Sequence, residues 1–505
     1  MVIPWNGAAR AAGVIRRSLP GIVCCALGLA GCASPLPVGP NYAAPNAADM
    51  LSAERWQAAL PHEGESRALL DWWQGFNDPV LGELLKHAEA DSPTLAEAVA
   101  RIDEARAGMT TAGAAGWPGV SVGAHAMRNN GSADFPAPAQ TTRGSTVDAQ
   151  WEIDLFGRVR RGNEAALARL ESRERGWHAA RISLAAEVAN RYVTYRACQL
   201  TLRASAADAK SREETARITA IAAKAGISAP ADAELARAGA AETNAGLAAQ
   251  QATCAIARKS LVTLTGMPED ALLPLLQRAP QADTLPAPAA FRVDSLPVAL
   301  LAQRPDLAAA ERELAAASAD IGVATANRYP RLALIGNLTR DKSGDDPAFL
   351  SKPWSFGPTL SLPLFDGGAL AAQQDAATAR HAQALARYRQ AVRNAVEEVE
   401  TVLVNLDAAR SRAENARIAT SGFKAYVKAA EQHWRAGGLS LLALEDARRQ
   451  ASAAERNEIA LQRDRVLHWI ALYKALGGGW QATAGHDLPQ TNVAAPVPQG
   501  AGDHS

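Results

Sequence analysis

Two stretches in each half of the chain alternate between apolar and polar residues, and this pattern predicts β-strands. They lie near 119–127 and 145–154, and near 331–339 and 353–363. The alternation is clearest in the second stretch, whose apolar positions are Val147, Ala149, Trp151 and Ile153. A period of two gives a strand one apolar and one polar face, which fits both a half-buried soluble sheet and a membrane barrel. The pattern alone leaves both alternatives open.

Each pair of strands is followed by a very long stretch that favours helix. Residues 139–229 and 364–488 contain no proline, and within them 158–224 and 369–436 predict nearly continuous helices. Each helix would be about 100 Å long at a rise of 1.5 Å per residue. Apolar residues recur in the second helix at alternating spacings of four and three, as in a coiled coil: they are Val392, Val396, Val399, Leu403 and Leu406.

The same order of elements occurs twice along the chain. Short motifs of the first half return in the second half at offsets of 209 to 212 residues. The pairs are Pro93-Thr94-Leu95 with Pro305-Asp306-Leu307, Trp117-Pro118 with Tyr329-Pro330, Leu155-Phe156-Gly157 with Leu364-Phe365-Asp366-Gly367, and Ala225-Gly226-Ile227-Ser228 with Gly437-Gly438-Leu439-Ser440. Such a duplication predicts that each half folds as helix, strand, strand, very long helix and shorter helix. We assign residues 61–267 to the first repeat, with its tip near 226. Residues 268–304 are a linker that contains a short helix. Residues 305–479 are the second repeat, with its tip near 437.

The number of strands sets a condition on the membrane alternative. Four strands cannot close a barrel, because about eight strands is the small end of the range. If the strands span a membrane, several copies of the chain must therefore contribute to one barrel.

The beginning of the chain resembles a bacterial lipoprotein signal peptide. Positive charges precede an apolar run that ends in Leu29-Ala30-Gly31-Cys32, which is similar to a lipobox. This predicts removal of residues 1–31 and lipidation of Cys32 with acyl chains such as palmitate. Ala33 stands where an aspartate would retain a lipoprotein at the inner membrane, so the outer membrane is the expected destination. An ordinary secretory signal with a chance cysteine is the alternative.

The two ends of the mature chain are expected to lie outside the helical repeats. Residues 32–60 contain several prolines and predict an extended segment that leads from the lipid anchor to the first repeat. Residues 480–505 are rich in Gly, Pro, Ala and Gln, which predicts a disordered tail.

Composition and motifs argue against several other classes of protein. The 52 basic and 52 acidic residues give a formal net charge of +0, so no basic excess favours a nucleic-acid partner. We find no P-loop, no nucleotide-binding glycine turn, no HExxH and no nucleophile elbow. The nine histidines are scattered and only five methionines occur, so no metal site is indicated. The sequence therefore predicts no enzyme, no catalytic residue, no cofactor and no bound metal.

Several separated motifs resemble a known family. They are Leu301-Ala302-Gln303-Arg304-Pro305-Asp306-Leu307 with Ala326-Asn327-Arg328-Tyr329-Pro330, Val38-Gly39-Pro40-Asn41-Tyr42, and Pro363-Leu364-Phe365-Asp366-Gly367. In them the chain resembles the outer-membrane factors of the TolC type, and the lipoprotein branch that serves RND efflux pumps (the NodT/OprM-like group). The resemblance covers about 29–480 and implies a mainly α fold with a transmembrane β-barrel. A homotrimer would form a twelve-stranded barrel in the outer membrane and a long α-helical coiled-coil tunnel in the periplasm.

The resemblance also implies a function and partners. The chain would be a passive outer-membrane duct of a tripartite efflux pump, carrying drugs or other small toxic compounds out of the periplasm and so contributing to multidrug resistance. Its partners would be a periplasmic adaptor (membrane fusion) protein, an inner-membrane RND pump and outer-membrane lipid.

The resemblance assigns roles to residues at the helix tips. Those expected to contact the adaptor are Gly226, Ile227, Ser228, Gly437, Gly438, Leu439 and Ser440. The periplasmic gate would contain Asp232, Leu442 and Asp446, so six carboxylates would crowd the constriction of a trimer. The turns alone also explain the glycines. Some relatives carry a tyrosine and an arginine where this chain has Trp434 and Leu439, so their version of the gate lock is absent here.

The spacing of two cysteines suggests a disulfide independently of the family. Cys198 and Cys254 each lie 28 residues from Gly226, one on either side. On an antiparallel hairpin both would lie about 42 Å from the tip, and the periplasm is oxidising. Helix pairs usually lie about 8–10 Å apart, which is wider than a disulfide prefers. The small neighbours Ala197 and Ala255 would allow a closer approach.

Two alternative functions stay open at this point. A lipidated coiled-coil adaptor would also contain helical hairpins, but it should have one hairpin with flanking β-rich domains instead of a duplicated unit. The chain could also be the outer-membrane duct of an ABC-type exporter or secretion system, since that choice depends on the partner pump.

Overall fold

The computed structural model describes most of the two predicted repeats. The described residues are 37–46, 57, 72–130, 138–279, 285–288, 303–343 and 350–480. The predicted signal peptide, the lipidation site Cys32 and the tail after Trp480 lie outside the described residues.

The first half contains the predicted order of elements. A short 3₁₀ helix at Trp72–Phe76 is followed by α1 (Pro79–Ala90), α2 (Pro93–Ala114), β1 (Gly119–Asn129) and β2 (Gln140–Ile153). The 67-residue helix α3 (Arg158–Lys224) then leads to α4 (Pro230–Thr265) and α5 (Glu269–Gln277).

The second half repeats this order with one irregular strand. It contains α6 (Pro305–Ala326), β3 (Arg331–Ser343), β4 (Leu350–Ser351), β5 (Trp354–Ser361), the 67-residue helix α7 (Ala369–Arg435) and α8 (Leu441–Ala475). The sequence indicates one strand near 353–363, but β4 and β5 are separated at Lys352 and Pro353. A proline has no N–H to donate to the ladder, so the strand is interrupted there, while the Pro353 carbonyl still accepts from the Thr339 N–H at 2.9 Å.

The strands form one antiparallel sheet. β1 pairs with β2, β2 with β3, and β3 with both β4 and β5. The pairing between the two repeats is β2 with β3, in a register that places Trp151 opposite Leu334 and Ile153 opposite Leu332. The strands extend beyond their predicted ends near the β1–β2 hairpin, because backbone pairing continues through polar residues such as Thr141 and Thr142.

The chain divides into two compact units, and neither repeat is a unit by itself. The first unit contains the sheet and consists of Ala105–Leu170, Arg312–Leu385 and the described part of Met1–Ala44. The second unit consists of the described parts of Pro45–Glu104, Glu171–Glu311 and Ala386–Ser505. Each unit therefore combines residues from both halves of the sequence.

Both repeats contribute to the core of the second unit. Its fully buried large side chains include Trp72 and Leu84 before α2, Tyr192 on α3, and Leu403 and Ile470 on α7 and α8. In the predicted coiled-coil face of α7, Val392, Val399 and Leu403 are buried as expected, but Ala395 is buried in place of the half-exposed Val396. Among the helices of the described part, none combines the length and apolar character needed to cross a bilayer.

The motif around Arg304 holds the start of α6 in the second unit. The buried Arg304 guanidinium donates to both Asp306 oxygens at 3.0 and 2.7 Å and to Glu398 on α7 at 2.8 Å. It also donates to the carbonyl of Ala475 at 3.1 Å, one of the carbonyls that a helix end leaves without an intrahelical partner. This arrangement explains Arg304 and Asp306 of the motif by local structure.

The Val38–Tyr42 motif binds the junction of strand and helix in the first unit. The Val38 N–H donates to the Phe156 carbonyl at 3.1 Å. Arg161, on the first turn of α3, donates to the Val38 carbonyl at 3.3 Å and to Asn41 Oδ1 at 2.7 Å. Gly39 has a φ of +89° and lies so close to Gly322 that a Cβ would fall 2.5 Å from its Cα. A side chain at this glycine would therefore displace the segment.

A buried carboxylate joins α1 to α3 in the second unit. Asp78 caps α1 by accepting from the Val80 N–H at 3.0 Å. Its other oxygen accepts from the Tyr192 hydroxyl at 2.6 Å and from Arg196 at 3.2 Å. Burial and the hydrogen bond to Asp78 raise the pKa of the Tyr192 hydroxyl well above its ordinary value, and the nearby Arg196 offsets only part of this.

We expect this tyrosine to make stability fall at alkaline pH. The unfolded chain releases the proton near pH 10, whereas the folded chain keeps it, so above about pH 10 the folded state binds more protons. Its free energy of unfolding then decreases as pH rises, by up to about 1.4 kcal/mol per pH unit. Thermal unfolding between about pH 8 and about pH 11.5 should show a shallower decline in Tyr192→Phe than in the wild type. Equal slopes in both proteins would contradict the assignment.

Candidate gate and docking site at the helix tips

Both hairpin tips turn on a glycine with positive φ. α3 ends before Gly226 (φ +73°), and the Ile227 N–H returns to the Ala222 carbonyl at 2.9 Å. α7 ends before Gly437 (φ +78°), and the Gly438 N–H returns to the His433 carbonyl at 2.9 Å. These are the backbone bonds of a helix C-terminal cap in which glycine supplies the left-handed conformation. The tips are thus sharp turns at the positions that the sequence predicts.

The two tips present different surfaces. In the first tip, Ile227 is 81% exposed, whereas Ser228 is half-buried. In the second tip, Gly437, Gly438 and Ser440 are exposed, and the Ser440 side chain caps α8 by accepting from the Ala443 N–H at 3.2 Å.

Leu439 does not share the exposure of its counterpart. It packs with Trp434 against an apolar cluster of Ala430, Leu444 and Ala447 within its own hairpin. Trp434 and Leu439 therefore both belong to the apolar packing of the second hairpin. Of the two turns, the first is the one that offers a large apolar side chain to a partner.

Two of the three predicted gate residues lie in one groove of the second unit. The groove runs between α4 and α8, with α3 at one side, and it is lined by Arg212, Thr215, Leu235, Glu242, Leu442, Asp446 and Arg449, among others. Leu442 is 53% exposed, and the Asp446 carboxylate pairs with Arg449 and accepts from Gln450 at 2.8 Å. Asp232 is not part of this groove: it is exposed on the first turn of α4, where a helix N-terminus favours a negative charge.

A polar network beside this groove connects the two repeats. We call Ser211, Thr215, Glu431, Glu445 and Arg448 the tip network. The Thr215 hydroxyl donates to Glu445 at 2.7 Å, and Arg448 donates to Ser211 at 3.1 Å, to Glu445 at 3.0 Å and to Glu431 at 2.7 Å. α3 of the first hairpin is thereby held to α7 and α8 of the second.

The charges of the tip network stabilise one another. Burial disfavours the charged form of Arg448, but the hydrogen bonds to Glu431 and Glu445 outweigh it and raise the pKa of the guanidinium. The sequence analysis missed this network because its members are up to 237 residues apart. The only local signal is the spacing of three between Glu445 and Arg448, which is also common on solvated helix surfaces.

The two spaced cysteines are bonded in the structure. The disulfide joins Cys198 on α3 to Cys254 on α4, and their Cα atoms lie 5.5 Å apart. The helices thus approach more closely than an ordinary helix pair, and the neighbouring Ala197 is buried here. The disulfide closes the hairpin far from its tip.

We expect this disulfide in the protein from oxidising conditions. An unreduced tryptic digest should contain residues 197–203 linked to residues 238–258. A double Cys198→Ser/Cys254→Ser variant should lose up to about 4 kcal/mol of unfolding free energy, since the bond closes a loop of more than fifty residues. The single Cys198→Ser variant is the control, because its remaining thiol should react with a maleimide. A maleimide label mapped to Cys198 or Cys254 in the unreduced wild type would disprove the pairing.

The described residues offer no candidate metal site. Within them, no group of three or more His, Cys, Asp or Glu side chains is arranged to hold an ion.

Comparison with known proteins gives one consistent result. The family model described as outer membrane efflux protein matches residues 84–267 and 296–478, one stretch in each half of the chain. The chain is 30% identical over 474 residues to the toluene efflux pump outer membrane protein TtgC of Pseudomonas putida, covering 91% of this chain and 92% of that protein. It is 29% identical over 467 residues to nodulation protein T of Rhizobium leguminosarum bv. trifolii, covering 90% and 96%.

A solved structure has a similar fold over most of the chain. The outer-membrane channel OprN superposes with a TM-score of 0.74 at 29% identity, over 88% of this chain and 99% of that one.

Proposed function

The chain belongs to the outer membrane efflux protein family, and we propose that it works as a homotrimeric exit duct that takes its cargo from an inner-membrane pump through a periplasmic adaptor. The observation that carries the proposal is the duplicated fold of strand pair and long hairpin, which the family match spans in both halves. A periplasmic adaptor with a single hairpin would not have this duplication.

The proposed cargo is drugs or other small toxic compounds. A relative named as part of a toluene efflux pump supports this class of cargo. An RND pump is the proposed energy source, because the duct has no catalytic motif and moves its cargo passively. Lipidation at Cys32 would anchor the mature chain in the outer membrane.

We assign the closed gate to the groove that contains Leu442 and Asp446. In a trimer this groove would supply three leucines and three carboxylates around one axis, which would narrow the opening and attract cations. Arg449 pairs with Asp446 in the structure, so each carboxylate brings a counter-charge to the closed state. We keep Asp232 as a candidate for a second ring of carboxylates, because assembly with neighbouring copies would place three of these residues around the axis of the trimer.

The adaptor is proposed to bind the exposed tips. Ile227 is the strongest candidate anchor, because it is the most exposed large apolar residue among the predicted contacts. Gly226, Gly437 and Gly438 would allow the partner backbone to come close, and Ser228, Leu439 and Ser440 would line the edges of the contact.

Single-channel conductance in a planar bilayer tests the proposal. The purified protein should give a small conductance that rises in Asp446→Ala, because the ion pair with Arg449 is lost. Asp232→Ala measures the second candidate ring separately. The exposed Asp270→Ala is a matched control, since Asp270 lies at the start of α5 and should leave the conductance unchanged. No conductance from inserted protein would favour the adaptor or scaffold alternative.

A further inference from the structure

One face of the sheet in the first unit changes from apolar to basic toward its hairpin ends, where β1 meets β2 and β3 meets β4. Directly opposite residues of an antiparallel ladder lie on the same face, so the registers define rows that cross the sheet. Along β3 the apolar rows extend from Leu332 to Leu338, about 20 Å at about 3.4 Å per residue. The last of these rows consists of Val122, Val147, Leu338 and Trp354. The length is comparable to the apolar band of a membrane-spanning sheet.

Beyond the apolar rows, the same face carries five basic side chains. We call Arg128, Arg143, Arg340, Lys342 and Lys352 the basic patch. Arg143 lies directly opposite Lys342 in the register of β2 and β3. The register of β3 with β4 and β5 places Lys352 opposite Arg340. All five residues are exposed, so the patch forms a positively charged border along the apolar rows.

The acidic residue of this region lies on the other face of the sheet. Asp341 stands between Arg340 and Lys342 in the sequence, and the alternation of a strand directs it away from both. It pairs with His125 at 3.5 Å, above Gly144, where a Cβ would clash with both side chains. Within the described part of the chain, no carboxylate pairs with a member of the basic patch. The described residues therefore leave the charge of the patch uncompensated.

A basic patch of this kind favours an anionic ligand. Like charges directly opposite on a ladder, such as Arg143 and Lys342, destabilise the strand pair unless an anion lies between them. At the edge of an apolar band, long basic side chains extend toward the headgroups of the bilayer. A guanidinium binds a phosphate through two parallel hydrogen bonds, and an ammonium binds it as a point charge. Phosphate is therefore the anion that these side chains fit best.

We propose that the basic patch binds the phosphate groups of lipid A, the phosphorylated glycolipid part of lipopolysaccharide. The proposal rests on the proposed function, because that function places the apolar rows in the outer membrane. The strand ends that lead into the helices would then face the periplasm, and the hairpin ends with the basic patch would lie at the outer leaflet. That leaflet consists mainly of lipopolysaccharide. One phosphate would bridge Arg143 and Lys342, and the other basic side chains would bind phosphates beside it.

Native mass spectrometry of the intact trimer in detergent tests the ligand. Diphosphoryl lipid A is the probe, and EDTA keeps divalent cations away from its phosphates. Monophosphoryl lipid A with the same acyl chains should bind more weakly, and zwitterionic phosphatidylcholine should bind weakest. Equal binding of the three lipids would overturn the proposal, because basic side chains that only reach the bilayer surface do not select for phosphate charge.

Inorganic phosphate separates a lipid site from a site for the free anion. At the same concentration as diphosphoryl lipid A it should not displace the lipid, since the acyl chains also contact the apolar rows. Complete displacement would assign the patch to the free anion and overturn the lipid assignment.

Charge-removing variants test the residues. Arg143→Gln/Lys342→Gln removes the directly opposed pair and should lower the affinity for diphosphoryl lipid A about 25-fold, at about fivefold for each cation near a membrane surface. Arg331→Gln is the matched control, because Arg331 is exposed on the same strand but lies on the other face at the far end of β3. It should leave the affinity unchanged. An unchanged affinity in the double variant, or an equal loss in the control, would overturn the proposal.

A conservative variant separates recognition of phosphate from loss of fold. Arg143→Lys/Arg340→Lys keeps both charges but removes the paired hydrogen bonds of the guanidinium, so its affinity should be intermediate. The mass of the trimer in the same spectrum shows that each variant is assembled. An affinity for diphosphoryl lipid A equal to that of the wild type would contradict the bonding to guanidinium.

Conductance of the same samples separates the two levels of the proposal. A conducting trimer that binds diphosphoryl lipid A no better than phosphatidylcholine would overturn the role of the basic patch and leave the proposed function intact. Protein that stays monomeric and does not conduct would overturn both.

Discussion

Replacing Arg448 with alanine is expected to open the tip and raise single-channel conductance. The change removes the ion pairs to Glu431 and Glu445 and the hydrogen bond to Ser211, so two carboxylates remain on α7 and α8 without their shared cation. The Arg448 side chain is 27% exposed, so the loss is intermediate between surface and buried pairs, about 1–2 kcal/mol. A shift of that size changes a two-state equilibrium by roughly 5- to 30-fold.

Two comparison variants make this result specific to the tip network. Arg417→Ala removes an exposed ion pair with Glu414 on the same helix, α7, and should leave the conductance unchanged. Arg448→Lys keeps the charge but cannot form the same fork of bonds, so it should give an intermediate conductance. A wild-type conductance in Arg448→Ala would show that the network does not hold the closed state.

Replacing Asp78 with alanine is expected to cause the largest loss of stability. The carboxylate is buried, caps α1, and accepts from Tyr192 and Arg196 on α3. Its removal leaves a helix end without its cap and takes a buried carboxylate away from the Arg196 guanidinium. Breaking a buried pair costs about 3–5 kcal/mol, which should appear as a marked drop in the midpoint of thermal unfolding.

The size of this effect can be checked against milder changes. Asp78→Asn keeps a capping oxygen and should lose less. Tyr192→Phe removes two hydrogen bonds, the one donated to Asp78 and the one accepted from Arg196, and should cost about 1–2 kcal/mol. If Asp78→Ala unfolds no earlier than Tyr192→Phe, the carboxylate does not hold α1 in place.

The sequence predicts most of the elements because their signals are local. The alternation of apolar and polar residues predicts the strands. The long stretches without proline predict the two 67-residue helices, and the glycines predict the turns at the two tips. The alternation also excludes register shifts by an odd number of residues, because one face must stay apolar, but it does not choose among the even ones. The repeat is visible for the same reason, since its turn residues keep their spacing.

Contacts between distant residues are what the sequence does not predict. The tip network joins α3 to α8 across 230 residues or more, and no periodicity reports such a contact. The burial of Ala395 in place of Val396 depends on how α7 rotates against its neighbours. The partial burial of Leu439 depends on the apolar cluster that it shares with Trp434 in its own hairpin. Packing decides each of these cases.

The segment that begins at Val38 has a consequence for how deeply the protein sits in a bilayer. Val38 is bonded to the end of β2 and the start of α3, and it lies only six positions after Cys32. Six residues span at most about 22 Å when fully extended. If Cys32 carries the proposed acyl chain, that chain must enter the lipid within this distance of the strand end, so the length of the connection would limit the vertical position of the sheet.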